Sequence, residues 1–429
     1  MERLVMTSNA MQFSSFRGSL SAFDKPFFPI DRRRSALERF EAQGFPTTKW
    51  EAWRHTDVSD LTGVPFEPAR LLSASESAFA RYALPGAMVR LVFVNGFFSR
   101  GLSDVAHLPD GVEAGPLSSR PEAPRLGALI SLEDDPFAAL NTAFFPDGAF
   151  VRVTRGVSAE TLIRLVFLTV PDSRPTFIAP RVLIQIEENA QATVVESHAG
   201  GAPNHLSAAV TEADLGPSSR LTHIRRIMDL ADGVHVGRVQ VRQERGSVYA
   251  SHVLTFGGSL ARNQISVVQE GEGAECSLDG VSLARGRERV DNHTVIDHAA
   301  PRGTSRETYK YLLADRARGV FNGEVVIRPG AAKVDTAQSN SNLLLSDQAL
   351  VYTKPDLRIF CDDVKAKHAA AIGQLSREAV FYCRSRGLGL EEARRLLTQA
   401  FVVDVISRLP NEAVREAAFQ GVGTWWGES

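Results

Sequence analysis

Short segments in which apolar and polar residues alternate fill the middle of the sequence, from about residue 148 to residue 375. In one of them, Val248, Ala250, His252, Leu254 and Phe256 fall on one face of an extended chain, as in a β-strand packed on a core. Gly, Asp and Asn separate the segments, which recur about every 8–12 residues. No convincing amphipathic helix interrupts them. The pattern predicts a long, mainly β core.

This β-region is longer than one ordinary sandwich requires. It suits a β-helix, in which short strands stack coil upon coil. Gln338, Asn340 and Asn342 favour this interpretation, because polar side chains at alternate positions can stack between coils. The sequence lacks the strict internal repeat of many solenoids, so a large sandwich or barrel is the alternative fold.

Helical patterns precede the β-region. Residues 31–43 carry an apolar stripe and are followed by Gly44, a typical helix stop. Residues 131–145 also fit a helix, and the run MVRLVFVNG between them fits a strand. We divide the chain into an N-terminal mixed helical region (1–147), a β-helix core (148–375) and a C-terminal helical region (376–429).

After residue 375 the apolar period changes from two to 3.6. Ser376 is the predicted N-cap and Gly387 the predicted left-handed stop of a first helix. Residues 390–409, ended by Pro410, form the next helix, and 411–420 a shorter one. The stripe expected to pack inward consists of Leu390, Ala393, Leu397, Ala400 and Phe401. The adjacent Trp425 and Trp426 are expected to dock on their own domain.

Composition excludes some partners. The chain has 429 residues, 44% of them apolar and 23% charged, with a net charge of −2. This balance gives no reason to expect nucleic acid or an anionic membrane as a partner. The longest apolar runs are too short to span a bilayer, and the N-terminus lacks the apolar core of a signal peptide. We therefore expect a cytoplasmic protein.

Cys276, Cys361 and Cys383 are the only cysteines, and none lies in a C-x-x-C pair. The sequence therefore predicts neither a disulfide framework nor a self-contained zinc or cluster motif. Such a chain could lend one ligand to a shared site, but we do not expect it to hold a metal cluster by itself.

Phosphate-loop, nucleophile-elbow and H-E-x-x-H signatures are all missing from the sequence. Strand alternation places Asp291, His293 and Asp297 on one face, and we interpret them as a solvated or turn-capping polar face. Asp362 and Asp363 would point to opposite sides of a strand, so a turn or salt-bridge role is favoured over acid–base catalysis. These motifs predict no enzyme.

His368 shares a strand face with Val364, Ala366, Ala370 and Ile372, a pattern typical of a core histidine with a satisfied hydrogen bond. The alanines around it would instead let another backbone approach closely. Cys361 has the opposite parity, so a regular strand would not bring its sulfur beside His368.

The run from Thr353 to His368, T-K-P-x-L-x-I-x-x-D-D-V-K-x-x-H, resembles the SufB/SufD family of iron–sulfur cluster assembly scaffolds. The S-R-G at 385–387 follows at the family's spacing, and KWEAWRHTD at 49–57 resembles its N-terminal tryptophan motif more loosely. The resemblance is strongest over about 285–409. Over 60–240 it is limited to the general pattern of residue types, without specific motifs. The aspartate pair is similar to that of SufD-like chains, since SufB-like chains carry a glutamate next to the corresponding histidine.

The resemblance implies a right-handed parallel β-helix between helical N- and C-terminal regions. It also implies a non-catalytic scaffold subunit that pairs with a SufB-like subunit through the β-helices. A SufC-like ATPase would bind the C-terminal helices, and a cysteine desulfurase system would deliver sulfur indirectly. We expect the ATPase-docking surface to include Tyr382, Arg384, Arg386, Arg394 and Arg395. The chain alone would hold no cofactor.

By the same resemblance, His368 matches the SufD histidine at the subunit junction, where it would help to hold iron or a transient iron–sulfur cluster. Cys361 is a weaker candidate ligand. SufD chains often have a cysteine where this chain has Ala366, so a role that needs that thiol is in doubt. The family's H-G-A-T becomes His368-Ala-Ala-Ala371, and its K-T-D-A becomes Lys333-Val-Asp-Thr336.

Two other functions stay open at this point. One is a β-helix carbohydrate-active enzyme, a lyase or glycosidase, which would need converging carboxylates on an exposed groove. The other is a purely structural half-partner to which the SufB-like subunit supplies all ligands. The sequence also leaves open a homodimer of the isolated chain, flavin binding and the type of cluster built.

Overall fold

The computed structural model describes residues 16–427 except positions 17, 24–26, 87, 107, 121–124, 202–203, 229 and 231. Its strands form two large sheets, here called sheet A and sheet B. Sheet A contains β1 (Glu67–Pro68), β4 (Val112–Pro116), β5 (Ala149–Val153), β7 (Thr176–Ile178), β8 (Arg181–Ile186), β10 (His205–Leu215), β12 (Val234–Gln243), β14 (Leu260–Gln269), β16 (Arg289–His298), β18 (Arg318–Ile327) and β20 (Leu350–Ile359). Sheet B contains β2 (Met88–Val94), β3 (Phe97–Phe98), β6 (Leu162–Leu168), β9 (Gln191–Ala199), β11 (Arg220–Met228), β13 (Val248–Phe256), β15 (Glu275–Ala284), β17 (Thr304–Leu313), β19 (Asp335–Leu344) and β21 (Lys365–Gln374).

Helices precede and follow these sheets. The α-helices are α1 (Ile30–Gln43), α2 (Glu76–Ala80), α3 (Pro136–Phe144), α4 (Arg377–Ser385), α5 (Leu390–Ile406) and α6 (Glu412–Trp425). Short 3₁₀ turns cover Leu20–Phe23, Glu51–Trp53, Ser59–Leu61, Arg100–Leu102 and Leu117–Ser119. Helix α3 is shorter than predicted because Asp135 caps it, accepting a hydrogen bond from the Ala138 N–H, with Pro136 in the first turn.

From β8 onward, the chain alternates between the sheets, and each strand pairs in parallel with the strand two positions later. Arg289 of β16, for example, lies beside Arg318 of β18, which lies beside Leu350 of β20. This connectivity is a parallel β-solenoid, so the predicted β-helix is confirmed. A sandwich or barrel is excluded, because the parallel strands within each sheet are successive coils. Strand β2, from the N-terminal region, extends sheet B by pairing in parallel with β6.

The turns from sheet A to sheet B explain how coils stack without a strict sequence repeat. The six turns from β8–β9 to β18–β19 each contain a residue with positive φ whose N–H bonds to a carbonyl of the next turn. These residues are Asn189, Ser218, Gly246, Gly273, Arg302 and Lys333. What repeats is therefore a left-handed backbone position, which glycine and asparagine adopt at low cost. The identity of the residue varies from coil to coil.

The N-terminal helical region covers the outer face of sheet A. Helix α1 buries Ala36, Leu37 and Phe40 in an apolar cluster that also contains Val236 of β12 and Leu260 of β14. The helix ends as predicted at Gly44, which has positive φ and whose N–H bonds to the Phe40 carbonyl. The solenoid interior holds a separate apolar core.

The C-terminal helices cover the outer face of sheet B. Their buried stripe differs in part from the predicted one, since Leu390 and Ala400 are exposed while Ala393 is buried and Leu397 and Phe401 are half-buried. The reason is that the second half of α5 carries most of the contact with Val281, Leu283 and Leu312 of sheet B. Further buried residues of the helical region include Thr398, Val402, Val405, Ile406, Leu409, Val414, Ala418 and Val422.

The boundaries of these helices also differ in part from the prediction. Ser376 caps α4 as predicted, accepting a hydrogen bond from the Ala379 N–H, and Gly387 has positive φ just after that helix. Helix α6 continues to Trp425, beyond the predicted end at residue 420. Trp425 and Trp426 pack against the apolar cluster beneath the helices, as expected for a pair docked on its own domain.

Candidate functional site

The last coil of the solenoid, formed by β20 and β21, is open on its far side. Within the described residues, β20 pairs only with β18 and β21 only with β19. Both strands therefore present unpaired backbone N–H and C=O groups, which readily accept another strand. Large apolar side chains are exposed here, including Tyr352 (40%), Ile372 (53%) and Phe360 (62%). The open end therefore combines free strand edges with exposed apolar side chains.

His368 lies on the terminal strand β21, in register with Gln338 of β19. Gln338 is buried inside the solenoid, so His368 belongs to the interior-facing row. Its side chain is nevertheless exposed, because no further coil covers it. The prediction of a core histidine is therefore wrong. Ala369 and Ala370 leave the backbone around it open to close approach, as the sequence indicated.

Beneath His368, a column of polar side chains continues into the interior. Gln338 donates from Nε2 to Oε2 of Glu307 at 2.6 Å, and Glu307 of β17 is in register with Gln338. Both residues are only 3% exposed. Burial raises the pKa of Glu307 to about 7, although the hydrogen bond from Gln338 opposes this rise. The stacking predicted for Gln338 is thus confirmed.

Cys361 is half-buried in the turn between β20 and β21, and Asp362 and Asp363 lie in the same turn. The premise that 361–368 is one strand is wrong, because β21 begins only at Lys365. The predicted turn role of the aspartates is confirmed, and the Asp363 carbonyl accepts a 2.6 Å bond from the Lys333 N–H. Their place in a turn gives no support to a catalytic carboxylate pair.

The other two cysteines are buried. Cys276 lies in the solenoid core, where burial raises the pKa of its thiol well above the usual range. A thiol that stays protonated is a poor metal ligand. Cys383 is buried in α4.

Asp291 is buried under the N-terminal tryptophan motif, so the prediction of a solvated face is wrong for this residue. It accepts hydrogen bonds from Arg262 of β14 and from Thr56 of the motif. The Arg262 guanidinium lies 3.9 Å from the centre of the Trp53 ring, and its Nη2 donates to the Ala52 carbonyl at 2.9 Å. The motif thus anchors the N-terminal region on sheet A. Sequence spacing alone could not reveal this contact between distant segments.

Asp291, His293 and Asp297 do share the outward face of β16, as strand alternation predicts. His293 lies beside Asp291, with 3.0 Å between its Nε2 and Oδ1 of the aspartate. Asp297, in contrast, pairs with Arg328, and its neighbour His298 faces the interior, where Nε2 lies 3.0 Å from Oγ of Ser305. The four residues therefore do not converge on one site.

The predicted ATPase-docking residues lie on α4, on α5 and in the turn between them. Tyr382 is exposed, and the Arg386 guanidinium lies 5.2 Å from the centre of its ring. Arg384 and Arg394 line a cavity between the helices and the solenoid, and Arg394 also pairs with Glu391 at 3.2 Å. Arg395 is half-buried on α5.

Sequence reasoning missed several exposed apolar residues of this helical unit. Phe381 is 73% exposed, and Leu390, Leu396 and Val403 are also exposed. Their apolar character suggested burial. They are exposed because they lie on parts of the helices that do not contact sheet B.

Across the described residues, no group of three or more His, Cys, Asp or Glu side chains is placed to hold a metal ion. In the same part of the chain, no helix has the length and apolar character needed to cross a membrane.

The fold and its open end define the class: a parallel β-solenoid with helices on both outer faces and an unpaired terminal coil. The sequence matches the family model described as "SUF system FeS cluster assembly, SufBD core domain" over residues 168–401, and the SufBD N-terminal region over 13–165. The chain therefore belongs to the SufB/SufD family of the SUF iron–sulfur cluster assembly system, and it is SufD-like.

Individual relatives agree with this assignment. A SufBD-family iron–sulfur cluster assembly protein of Synechocystis is 32% identical over 89% of this chain and 87% of its own length. The iron–sulfur cluster assembly protein SufD of Escherichia coli is 26% identical over 90% of each chain. SufD of Bacillus subtilis is 28% identical over 67% of this chain and 66% of its own length. The family assignment replaces the alternative of a carbohydrate-active enzyme.

Proposed function

We propose that this chain is a non-catalytic scaffold subunit that pairs with a SufB-like subunit through its open terminal coil. The observation that carries the proposal is the pair of free strand edges on β20 and β21. His368, on β21, is exposed at this open end of the solenoid interior. A partner solenoid that adds strands to both edges would satisfy their backbone groups and cover Tyr352 and Ile372.

Within that junction, His368 contributes one imidazole ligand to iron or to a nascent iron–sulfur cluster, which is cargo of the complex. A neutral imidazole nitrogen is a common ligand for iron. The absence of a multi-residue metal group in the described part of the chain supports a shared site, in which the partner supplies thiolate or carboxylate ligands. Cys361, half-buried in the adjacent turn, is the weaker candidate.

The helical unit on sheet B is the docking surface for a SufC-like ATPase. Its exposed apolar and aromatic residues, Phe381 and Tyr382, lie beside Arg384 and Arg386, a composition enriched at protein interfaces. The ATPase performs hydrolysis, and this chain lacks a phosphate loop. A cysteine desulfurase system supplies sulfur to the complex indirectly.

The decisive experiment is co-expression of the full chain with its SufB-like and SufC-like partners, followed by purification through a tag on this chain. We expect a stoichiometric complex with ATPase activity, whereas the pure chain alone should show none. Recovery of the chain without either partner, or hydrolysis of ATP by the pure chain, would contradict the proposal.

A further inference from the structure

A cavity of about 620 Å³ separates the C-terminal helices from the turns of the solenoid. Its solenoid side includes Arg285 and Asp315, and its helical side includes residues of α4, α5 and the end of α6. Because the lining comes from both units, anything that fills the cavity touches the helices and the β-helix together.

The cavity is rich in positive charge. It is lined by four arginines, namely Arg285, Arg377, Arg384 and Arg394, against two aspartates, Asp315 and Asp347. Arg285 donates to the Trp425 carbonyl at 3.0 Å, and Arg394 pairs with Glu391. The side chains of Arg377 and Arg384 have no acceptor among the described residues.

The aspartates of the cavity do not neutralise these arginines. Asp315 accepts a hydrogen bond from the Gly286 N–H at 2.9 Å, and Asp347 accepts one from Gln374 at 3.2 Å. Two guanidinium groups therefore offer unused donors to a ligand, in the fork geometry that suits a carboxylate.

The same cavity has an apolar and aromatic part. Phe381 is largely exposed at its edge, and Leu390 is also exposed there. Trp425 and Trp426 form a T-shaped pair with ring centres 5.5 Å apart, and both buried indole N–H groups lack an acceptor among the described residues. The cavity thus combines an excess of hydrogen-bond donors, from the arginines and the two indoles, with an apolar surface.

We propose that this cavity recognises an acidic side chain, flanked by an apolar one, on the surface of the ATPase subunit. The inference rests on the proposed function, since it specifies the chemistry of the ATPase docking surface. The carboxylate pairs with Arg377 and Arg384, and the apolar neighbour packs on Phe381 and Leu390. Charge complementarity selects this occupant, and the exposed Phe381 gives the contact an apolar anchor.

One consequence is mechanical. Arg377 and Arg384 lie on α4, which begins directly after β21, the strand that carries His368. A carboxylate held by these arginines ties the ATPase to the segment adjoining the open coil. A movement of the ATPase would then be transmitted through α4 to β21, the strand that carries His368, while the helices and the solenoid both stay folded.

The test uses the full chain and the purified ATPase subunit in a titration by calorimetry. The variant is Arg377→Glu/Arg384→Glu, and the matched control is Arg39→Glu, which reverses the charge of an exposed residue of α1 on the other face of the protein. Thermal melting of each variant checks the fold. We expect the double variant to bind the ATPase at least 10-fold more weakly, with the control unchanged.

Three outcomes would contradict the proposed function or the inference, and a fourth would support the inference. If wild-type chain does not bind the ATPase, the proposed function itself fails. If wild-type and the folded double variant bind equally well, the ATPase docks but this cavity does not recognise it, and the inference is wrong. If inorganic phosphate or ADP binds the free chain and is lost in the double variant while ATPase binding is kept, the occupant is a small anion, which also overturns the inference. Restored binding by an Arg384→Lys/Arg377→Lys variant would support recognition by charge.

Discussion

Arg262 on β14 and Asp291 on β16 form an ion pair in which the side chains are 0% and 1% exposed. The pair lies under Trp53 and Thr56, so it joins two neighbouring coils to the N-terminal tryptophan motif. Arg262 holds the pKa of Asp291 well below its usual range, despite burial. A carboxylate with a lowered pKa stabilises the fold above its ordinary pKa of 3.8 and loses that contribution as pH falls.

Asp291→Asn should destabilise the chain by about 3–5 kcal/mol, because it leaves the Arg262 charge buried without a counter-ion. Urea denaturation measures the change in the free energy of unfolding, provided that both proteins have the same dependence on urea concentration. The control is Asp335→Asn, which removes a partner from the exposed Arg306 ion pair and should change stability by less than about 1 kcal/mol. Equal effects of the two substitutions would contradict a special role for the buried pair.

Glu307→Gln should remove a pH-dependent loss of stability. The pKa of Glu307 is raised from 4.5 to about 7 in the folded chain, so folding favours the protonated form. Stability from this group is therefore present below pH 4.5 and is lost as pH rises through 7. At pH 8 we expect the variant to be more stable than wild type by about 2–3 kcal/mol, with the difference vanishing near pH 4.5.

Denaturation curves of both proteins across that pH range give the comparison, and Glu391→Gln on the exposed face of α5 is the control. A stability difference that does not change with pH would show that folding does not raise the pKa of Glu307.

Ala369→Lys should weaken pairing with the SufB-like subunit while leaving the free chain folded. Ala369 is exposed on the terminal strand, so the long charged side chain is tolerated in the free chain but obstructs an added strand. We expect at least a 10-fold weaker heterodimer by analytical ultracentrifugation. Ala42→Lys on α1, also exposed, should pair normally. If the Ala369 variant pairs as tightly as wild type, the terminal strand edge is not the interface with the SufB-like subunit.

His368→Ala should preserve the complex but reduce the iron–sulfur cluster that it accumulates, because one ligand of the shared site is missing. The measurement is cluster absorbance and iron content of the purified complex, with complementation of a strain that lacks this subunit. Arg39→Ala, which removes an exposed side chain of α1 far from the terminal coil, should accumulate cluster normally. Unchanged assembly in the His368 variant would favour the purely structural half-partner.

Deleting the C-terminal helices is a poor test of ATPase docking, although the sequence suggested a separable unit. Helices α5 and α6 bury Val281, Leu283 and Leu312 on sheet B. A chain that ends at Leu375 would expose this apolar surface and is expected to aggregate. Point variants of exposed residues on α4 leave the apolar contact with sheet B intact, so they test docking alone.

The periodicity of the sequence determined the order of secondary structure. Alternation with period two marked the strands, and the change to period 3.6 after residue 375 marked the helices, because each period reflects which side chains face one surface. Local signals also determined caps: Ser376, Gly44 and Gly387 act where the sequence placed them. The long Thr353–His368 motif determined the family.

Contacts between distant segments were decided only by the tertiary structure. Asp291 has the same local pattern whether it is solvated or buried, and only the docking of Trp53 and Thr56, more than 200 residues earlier, buries it. His368 has the alternation of a core residue, yet it is exposed because the solenoid ends at its strand. Periodicity specifies which face a residue occupies, whereas burial depends on what lies against that face, and this is settled only when the coils stack.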